Sequence, residues 1–204
     1  MAATKNELKE MIVDNTETIK QFLPFSDTAW YYLVEIIQRR KDRELKDKDR
    51  IICRIMIHSE EEYVDAINNI KDICNATHAR SYILLNPVIY SQMNEYILRN
   101  AEAYKNGEFD TEIGAASMMS NGSYYANSHF YTLLDIDPDI FYLKEELNKY
   151  LPENGFPVIL KVPTVNGEHW IIPYMEDLIK FKNSFLNVGV HHECRTLLYA
   201  CVEK

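Results

Sequence analysis

The feature that most restricts the fold of this chain is a hairpin signal. Phe156–Pro163 and Glu168–Pro173 are β-rich runs joined by Thr164-Val165-Asn166-Gly167, and Asn-Gly between two such runs marks a tight antiparallel turn. A second pair of runs, Trp30–Gln38 and Ile51–Ile57, is joined by a charged stretch and reads as a hairpin with a long loop. Two hairpins exclude a clean doubly wound fold, in which a helix separates successive strands.

The helical segments are marked by caps and by apolar spacing. Ser59 to Glu62 has capping-box form, and Tyr63, Ile67, Ile70 and Cys74 follow at spacings of four, three and four, which draws one apolar helix face. Helices are also expected over Val88–Lys105, Pro138–Leu151 and Met175–Leu186. Ser81–Leu85, Phe130–Asp137 and Arg195–Val202 have strand character. In residues 6–23, Leu8, Met11, Ile12, Ile19 and Phe22 approximate helical spacing, with a break at Asn15-Thr16, so one or two short helices are expected there. The resulting expectation is an α+β fold, a mixed and partly antiparallel sheet covered by helices. Residues 1–29 are expected as an N-terminal helical arm. Residues 30–204 form the main domain, with an irregular insertion at about 106–128 that holds three of the six glycines.

Charge narrows the partners. With 22 Lys and Arg against 31 Asp and Glu, the net charge is −9, the wrong sign for a protein that grips a long duplex by its phosphates. Arg39-Arg40-Lys41, Arg43, Lys46, Lys48 and Arg50 form a basic stretch, but Asp42, Glu44, Asp47 and Asp49 interleave with it, as on a solvated loop. No apolar run reaches the roughly 18 residues of a membrane helix, and the polar N-terminus lacks a signal-peptide core. Cys53, Cys74, Cys194 and Cys201 are widely spread, as buried free thiols in a reducing cytoplasm would be.

Asp135-Ile136-Asp137 is the leading candidate for chemistry. On a strand, side chains at i and i+2 share a face, so two carboxylates would stand side by side, an arrangement relieved by a hard divalent cation. Asp137-Pro138 also has the form of a helix N-cap followed by proline, which would account for Asp137 without function. Asp135 has no such account, because it interrupts an apolar strand. His169, just after the Asn-Gly turn, could donate to a phosphate oxygen, although a hairpin histidine is more often a plain polar residue. His191-His192-Glu193-Cys194 lacks the second spaced pair of a zinc site and reads as a polar turn. His58 and His78 read as ordinary residues at the ends of the capped helix. The tyrosine pairs 31–32 and 124–125 read as cover for sheet faces rather than as platforms for bases.

Residues 51–202 resemble the catalytic palm of the archaeo-eukaryotic primase superfamily, and are especially similar to members encoded by bacteriophages. The residues that carry the resemblance are Ala79 to Pro87 (ARSYILLNP), Asp135-Ile136-Asp137, and Asn166 to Ile172 (NGEHWII). The resemblance implies a palm-like sheet of the RNA-recognition-motif type, with Asp135 and Asp137 as catalytic metal ligands for Mg²⁺ or Mn²⁺. It also implies His169 as a contact to the phosphates of a nucleoside triphosphate, with Arg80 and Lys161 as charges such a pocket could use. A role in DNA replication would follow, with weak contact to single-stranded or primer-template nucleic acid, in the cytoplasm of a host cell. The family places a third acid on a strand after the histidine. The closing strand RTLLYACV has none, Glu203 lies at its end, and Asp177 and Glu193 are the substitutes on offer. Two functional classes therefore stay open: a metal-dependent nucleotidyltransferase, and a catalytically degenerate module that engages a protein partner.

Overall fold

A computed structural model describes residues 10–25, 29–40, 49–99, 101–106 and 130–203. The strands are β1 (Glu10–Asp14), β2 (Trp30–Gln38), β3 (Arg50–Ile57), β4 (Arg80–Leu84), β5 (Val88–Ile89), β6 (Tyr131–Ile136), β7 (Leu160–Pro163), β8 (Glu168–Pro173), β9 (Gly189–His191) and β10 (Arg195–Glu203). The helices are α1 (Thr16–Phe22), α2 (Glu60–Thr77), α3 (Tyr90–Arg99), α4 (Ala101–Lys105), α5 (Lys144–Glu153) and α6 (Leu178–Ser184), with a 3-10 helix at Pro138–Leu143. The fold is α+β, built on two sheets. One has the order β1-β10-β4-β2-β3, with β5 added beside β2, and the other the order β7-β8-β6-β9. Every pairing among the described strands is antiparallel. The strands expected in one mixed sheet are thus divided between two.

Both hairpins form. β2 pairs β3 across the charged stretch, of which residues 41–48 lie outside the described residues. β7 pairs β8, but the turn differs from the two-residue type that Asn-Gly usually makes. Its four-residue loop is closed by the Thr164 amide donating to the Gly167 carbonyl at 2.9 Å and the Gly167 amide donating to Thr164 Oγ1 at 2.9 Å. Gly167 is required by close approach: a Cβ there would sit 2.3 Å from the Ile136 carbonyl oxygen and 3.2 Å from Asp137 Cα. The turn therefore presses directly on the end of β6.

The capped helix forms as its sequence directs. Ser59 Oγ accepts from the Glu62 amide at 3.1 Å, and Glu62 Oε2 accepts from the His58 amide at 2.8 Å. Tyr63, Ile70 and Cys74 are buried along one face of α2 and pack with Val34, Ile36 and Ile83 of the first sheet. The same core takes in Leu133, Val162 and Ile171 from the second sheet, so the two sheets are joined by apolar contact. The far face of the second sheet (Leu134, Ile136, Trp170, Ile172) packs under Leu147 and Leu151 of α5 and Phe181 of α6.

Several boundaries move for tertiary reasons. Residues 10–14, expected in a helix, form β1, because pairing with the exposed edge of β10 satisfies their backbone groups better than a lone short helix would. The break at Asn15 is real, and α1 follows it with Ile19 fully buried. The long helix expected from Val88 begins only at Tyr90, since Val88 and Ile89 pair with Tyr31 and Trp30. The helix expected from Pro138 opens as a 3-10 turn, and the one expected at 175–186 contracts to α6. The strand expected from Phe156 is ordered as β7 only from Leu160. The insertion expected at 106–128 lies outside the described residues, apart from Asn106.

Asn86 locks one sheet to the other. It is 1% exposed; its Nδ2 donates to the carbonyls of Tyr131 at 2.9 Å and His192 at 2.8 Å, and its Oδ1 accepts from the amides of Phe130 and Tyr131. Removing this side chain strands four backbone groups at once, each worth about 1–3 kcal/mol when left unmet. Asn86→Ala is therefore expected to lower the free energy of unfolding by about 3 kcal/mol or more in urea titration. A loss under about 1 kcal/mol would show that water replaces the brace.

Candidate functional site

Strand alternation builds two facing walls. On the first sheet, Ile37 lies opposite Arg80, Glu35 opposite Tyr82 and Arg195 opposite Leu84, so these six side chains share one face. On the second, Asp135 lies opposite His169, and His169 opposite Val162, which puts both polar groups on the face that Leu133 and Ile171 turn to the core. At the open end of that core the walls part into two adjoining hollows of about 300 and 230 Å³. They share Arg39, Tyr82, Asp135 and His169. Taken together they fall within the range of about 300–1,000 Å³ usual for small-molecule clefts.

Asp135, Asp137, His169 and Arg80 all line this cleft. Asp137 sits at the N-terminus of the 3-10 helix with Pro138 after it, yet its side chain makes no capping hydrogen bond. The cap form thus sets the backbone while the carboxylate lines the cleft. Lys161 does not join them. It pairs in register with Trp170 on the opposite face, where its Nζ lies 3.9 Å over the indole ring and bonds Asn148 Oδ1 at 3.2 Å. One residue of strand register separates Lys161 from Val162, and one residue is enough to send a side chain to the other side of a sheet.

The structure brings to the cleft Arg195, which sequence patterns passed over. With it come Arg39, His191 and Glu193, which the sequence offered only as a solvated loop, a polar turn and a substitute acid. Arg39 and Arg195 join Arg80 on the first sheet's wall, and His191 and Glu193 stand with Asp135 on the other side. Arg195 had a usable signal, as the one charge opening an otherwise apolar strand. Glu193 was on offer only as a substitute acid, because β9, which brings it to Asp135, spans just three residues and is defined by pairing with β6. In that pairing Gly189 lies opposite Asp135, and a Cβ on it would come within 3.2 Å of Asp135 Cβ.

Ion pairs hold the basic wall, one around the buried Glu35 and one with the exposed Asp49. Glu35, 1% exposed, accepts from Arg54 Nε at 2.8 Å, and its other oxygen lies 3.1 Å from Arg195 Nη1. Arg39 Nε lies 3.5 Å from Asp49, and Arg39 Nη1 is 3.4 Å from the Tyr82 hydroxyl. Facing them, His169 is buried, with Nδ1 3.0 Å from Thr196 Oγ1 and Nε2 3.8 Å from Asp135 Oδ1. Burial, reinforced by His191 and opposed by Asp137, pulls the His169 imidazole down to about 4, so it is neutral at physiological pH. His191 is raised instead, chiefly by its hydrogen bond with Glu193 at 3.5 Å.

Among the described residues, Asp135, Asp137, His169 and Glu193 do not supply three ligand atoms within 4.8 Å of one another. Two carboxylates of one strand end on one wall still offer hard oxygen donors to a divalent cation, and Glu193 is the acid nearest in role to a third. No helix among the described residues is long and apolar enough to cross a membrane. Comparison of the chain with protein-family models, with curated proteins and with solved structures finds no match.

A depressed histidine pKa makes stability depend on pH in a definite direction. Between about 6.5 and about 4 the unfolded chain takes up a proton at His169 that the folded chain refuses, so stability falls as the pH drops through this window. About 3 kcal/mol is the upper limit of this loss. His191, raised, acts in the opposite sense. Urea titrations at pH 7 and pH 4.5 should give a smaller loss for His169→Gln than for the wild-type chain. Equal losses would place the pH dependence elsewhere.

Proposed function

We propose that the cleft binds a nucleoside triphosphate together with a divalent cation, as the resemblance to primase-like palm domains implies, and that nucleotidyl transfer is the reaction it is suited to. The observation that carries this reading is the opposition of two walls, one acidic with a neutral histidine, the other carrying three arginines. A polyphosphate needs both: cations to meet its charge, and a metal site where its reactive phosphate lies.

Asp135 and Asp137 would hold Mg²⁺ or Mn²⁺, with Glu193 in reach of the same wall. When bound, the ion supplies charge neutralisation at the transferred phosphoryl group. The chain's own groups do the rest. Arg39, Arg80 and Arg195 offer planar donor forks to phosphate oxygens, and Glu35 and Asp49 hold two of those forks in place. Neutral His169, hydrogen-bonded through Nδ1 to the Thr196 hydroxyl, would turn Nε2 to a phosphate oxygen and donate to it in the tautomer that carries the proton there. Partial burial strengthens each of these contacts relative to water.

The looser spacing of the acidic groups favours a second reading, a degenerate palm that engages a protein partner without catalysis. Primer extension in the presence of Mn²⁺ separates the two: metal-dependent extension removes the degenerate reading, and its absence with nucleotide still bound supports it.

Binding is tested by calorimetry with nucleoside triphosphate and Mg²⁺ or Mn²⁺. Saturable binding is expected. Asp135→Asn/Asp137→Asn should weaken it, and Arg80→Gln should lower affinity about tenfold or more, as loss of a charge-assisted bond does. No binding, or binding unchanged in these variants, overturns the proposal.

A further inference from the structure

We infer that the chain carries a second metal site, away from the cleft, formed by Glu10, His78 and Cys201 and suited to Zn²⁺ or a neighbouring late transition metal. The ligand atoms of these three residues all lie within 4.8 Å of one another, and no other group of three His, Cys, Asp or Glu among the described residues is so close.

Three separate elements converge there, and each is fixed by the backbone. The antiparallel pairing of β1 with β10 places Ile12 opposite Cys201, so Glu10, two residues from Ile12, is the diagonal neighbour of Cys201 on the same face. His78 is the C-terminal cap of α2 in the left-handed conformation, φ 48° and ψ 51°. The next residue accepts from β10, the Cys201 amide donating to the Ala79 carbonyl at 3.2 Å. The end of α2 is therefore bonded to the strand that carries the thiol. Cys201 is buried and forms no disulfide, His78 is half-buried, and Glu10 is exposed.

Donor chemistry selects the ion. Thiolate, imidazole and carboxylate together are the ligand types of zinc, whereas Mg²⁺ and Ca²⁺ take oxygen alone. The set thus differs in kind from the carboxylates of the cleft. Three protein ligands leave a fourth position for water. Because the thiol binds as thiolate, metal uptake releases a proton and strengthens with rising pH. An ion here would tie the edge strand β1 to β10 and to the end of α2, fastening one edge of the sheet.

Cobalt titration of the reduced, metal-free full chain tests the inference. One equivalent of Co²⁺ should produce a thiolate-to-metal charge-transfer band that one equivalent of Zn²⁺ abolishes, and Zn²⁺ should raise the melting temperature. Cys201→Ser should remove the band. Glu10→Gln and His78→Asn should each weaken Co²⁺ binding about tenfold or more, given that even outer-shell changes cost that much. Asparagine tolerates the left-handed backbone at 78, so the fold survives that change. Asp135→Asn/Asp137→Asn should leave the band intact, which separates this site from the cleft. Absence of the band in the wild-type chain, or a band of unchanged affinity in both Glu10→Gln and His78→Asn, overturns the inference.

Discussion

The cleft depends on the side-chain alternation of a single strand. In β6, Leu134 and Ile136 are fully buried under α5 and α6, so Leu133 and Asp135 must turn the other way. Leu133 enters the core shared with the first sheet, and Asp135, one pleat further on, emerges where that core ends. Apolar burial on the far face therefore aims the carboxylate. His169 follows on β8 by register, and Gly189 on β9 leaves the room that Asp135 needs. A slip of one residue in β6 would bury Asp135 and expose Leu134, and the cost of burying an unmatched charge makes that register prohibitive.

The electrostatics of the chain are more local than its overall charge implies. A net charge of −9 argues against stable binding of a long duplex, yet three arginines gather on one wall of the cleft. They can do so because carboxylates are built in behind them: Glu35 bridges Arg54 and Arg195, and Asp49 meets Arg39. A buried carboxylate such as Glu35 adds little net stability, but it fixes where an arginine fork stands. Across the cleft, burial keeps His169 neutral, so it adds a directed hydrogen bond without adding charge.

Much of this was legible in the sequence where the physics is local. The Ser59 cap and the apolar face of α2 involve residues within one turn of each other, and they form as written. The two hairpins follow from their β-rich runs, and the anomaly of Asp135 from alternation along its own strand. Its meeting with His169 and Arg80 was only what the family resemblance implied, and rests on pairing between strands and on the facing of two sheets. Lys161 shows the limit. Its strand was recognised, but which face it occupies depends on register against β8, and register is set across the sheet.

Sequence alone determined that the chain is α+β with antiparallel hairpins, because turn residues, caps and side-chain period act over a few neighbouring residues. It also determined that Asp135 is anomalous in its strand. Only the tertiary structure decided that the strands divide into two sheets, that residues 10–14 complete one of them, and that three residues, 189–191, complete the other. Elements so short gain little from their own propensity and are stabilised by partners distant in the chain. The same holds for Arg195 and Glu193 beside Asp135, and for Glu10, His78 and Cys201. Their meeting is a consequence of closure by β10, which no local pattern encodes.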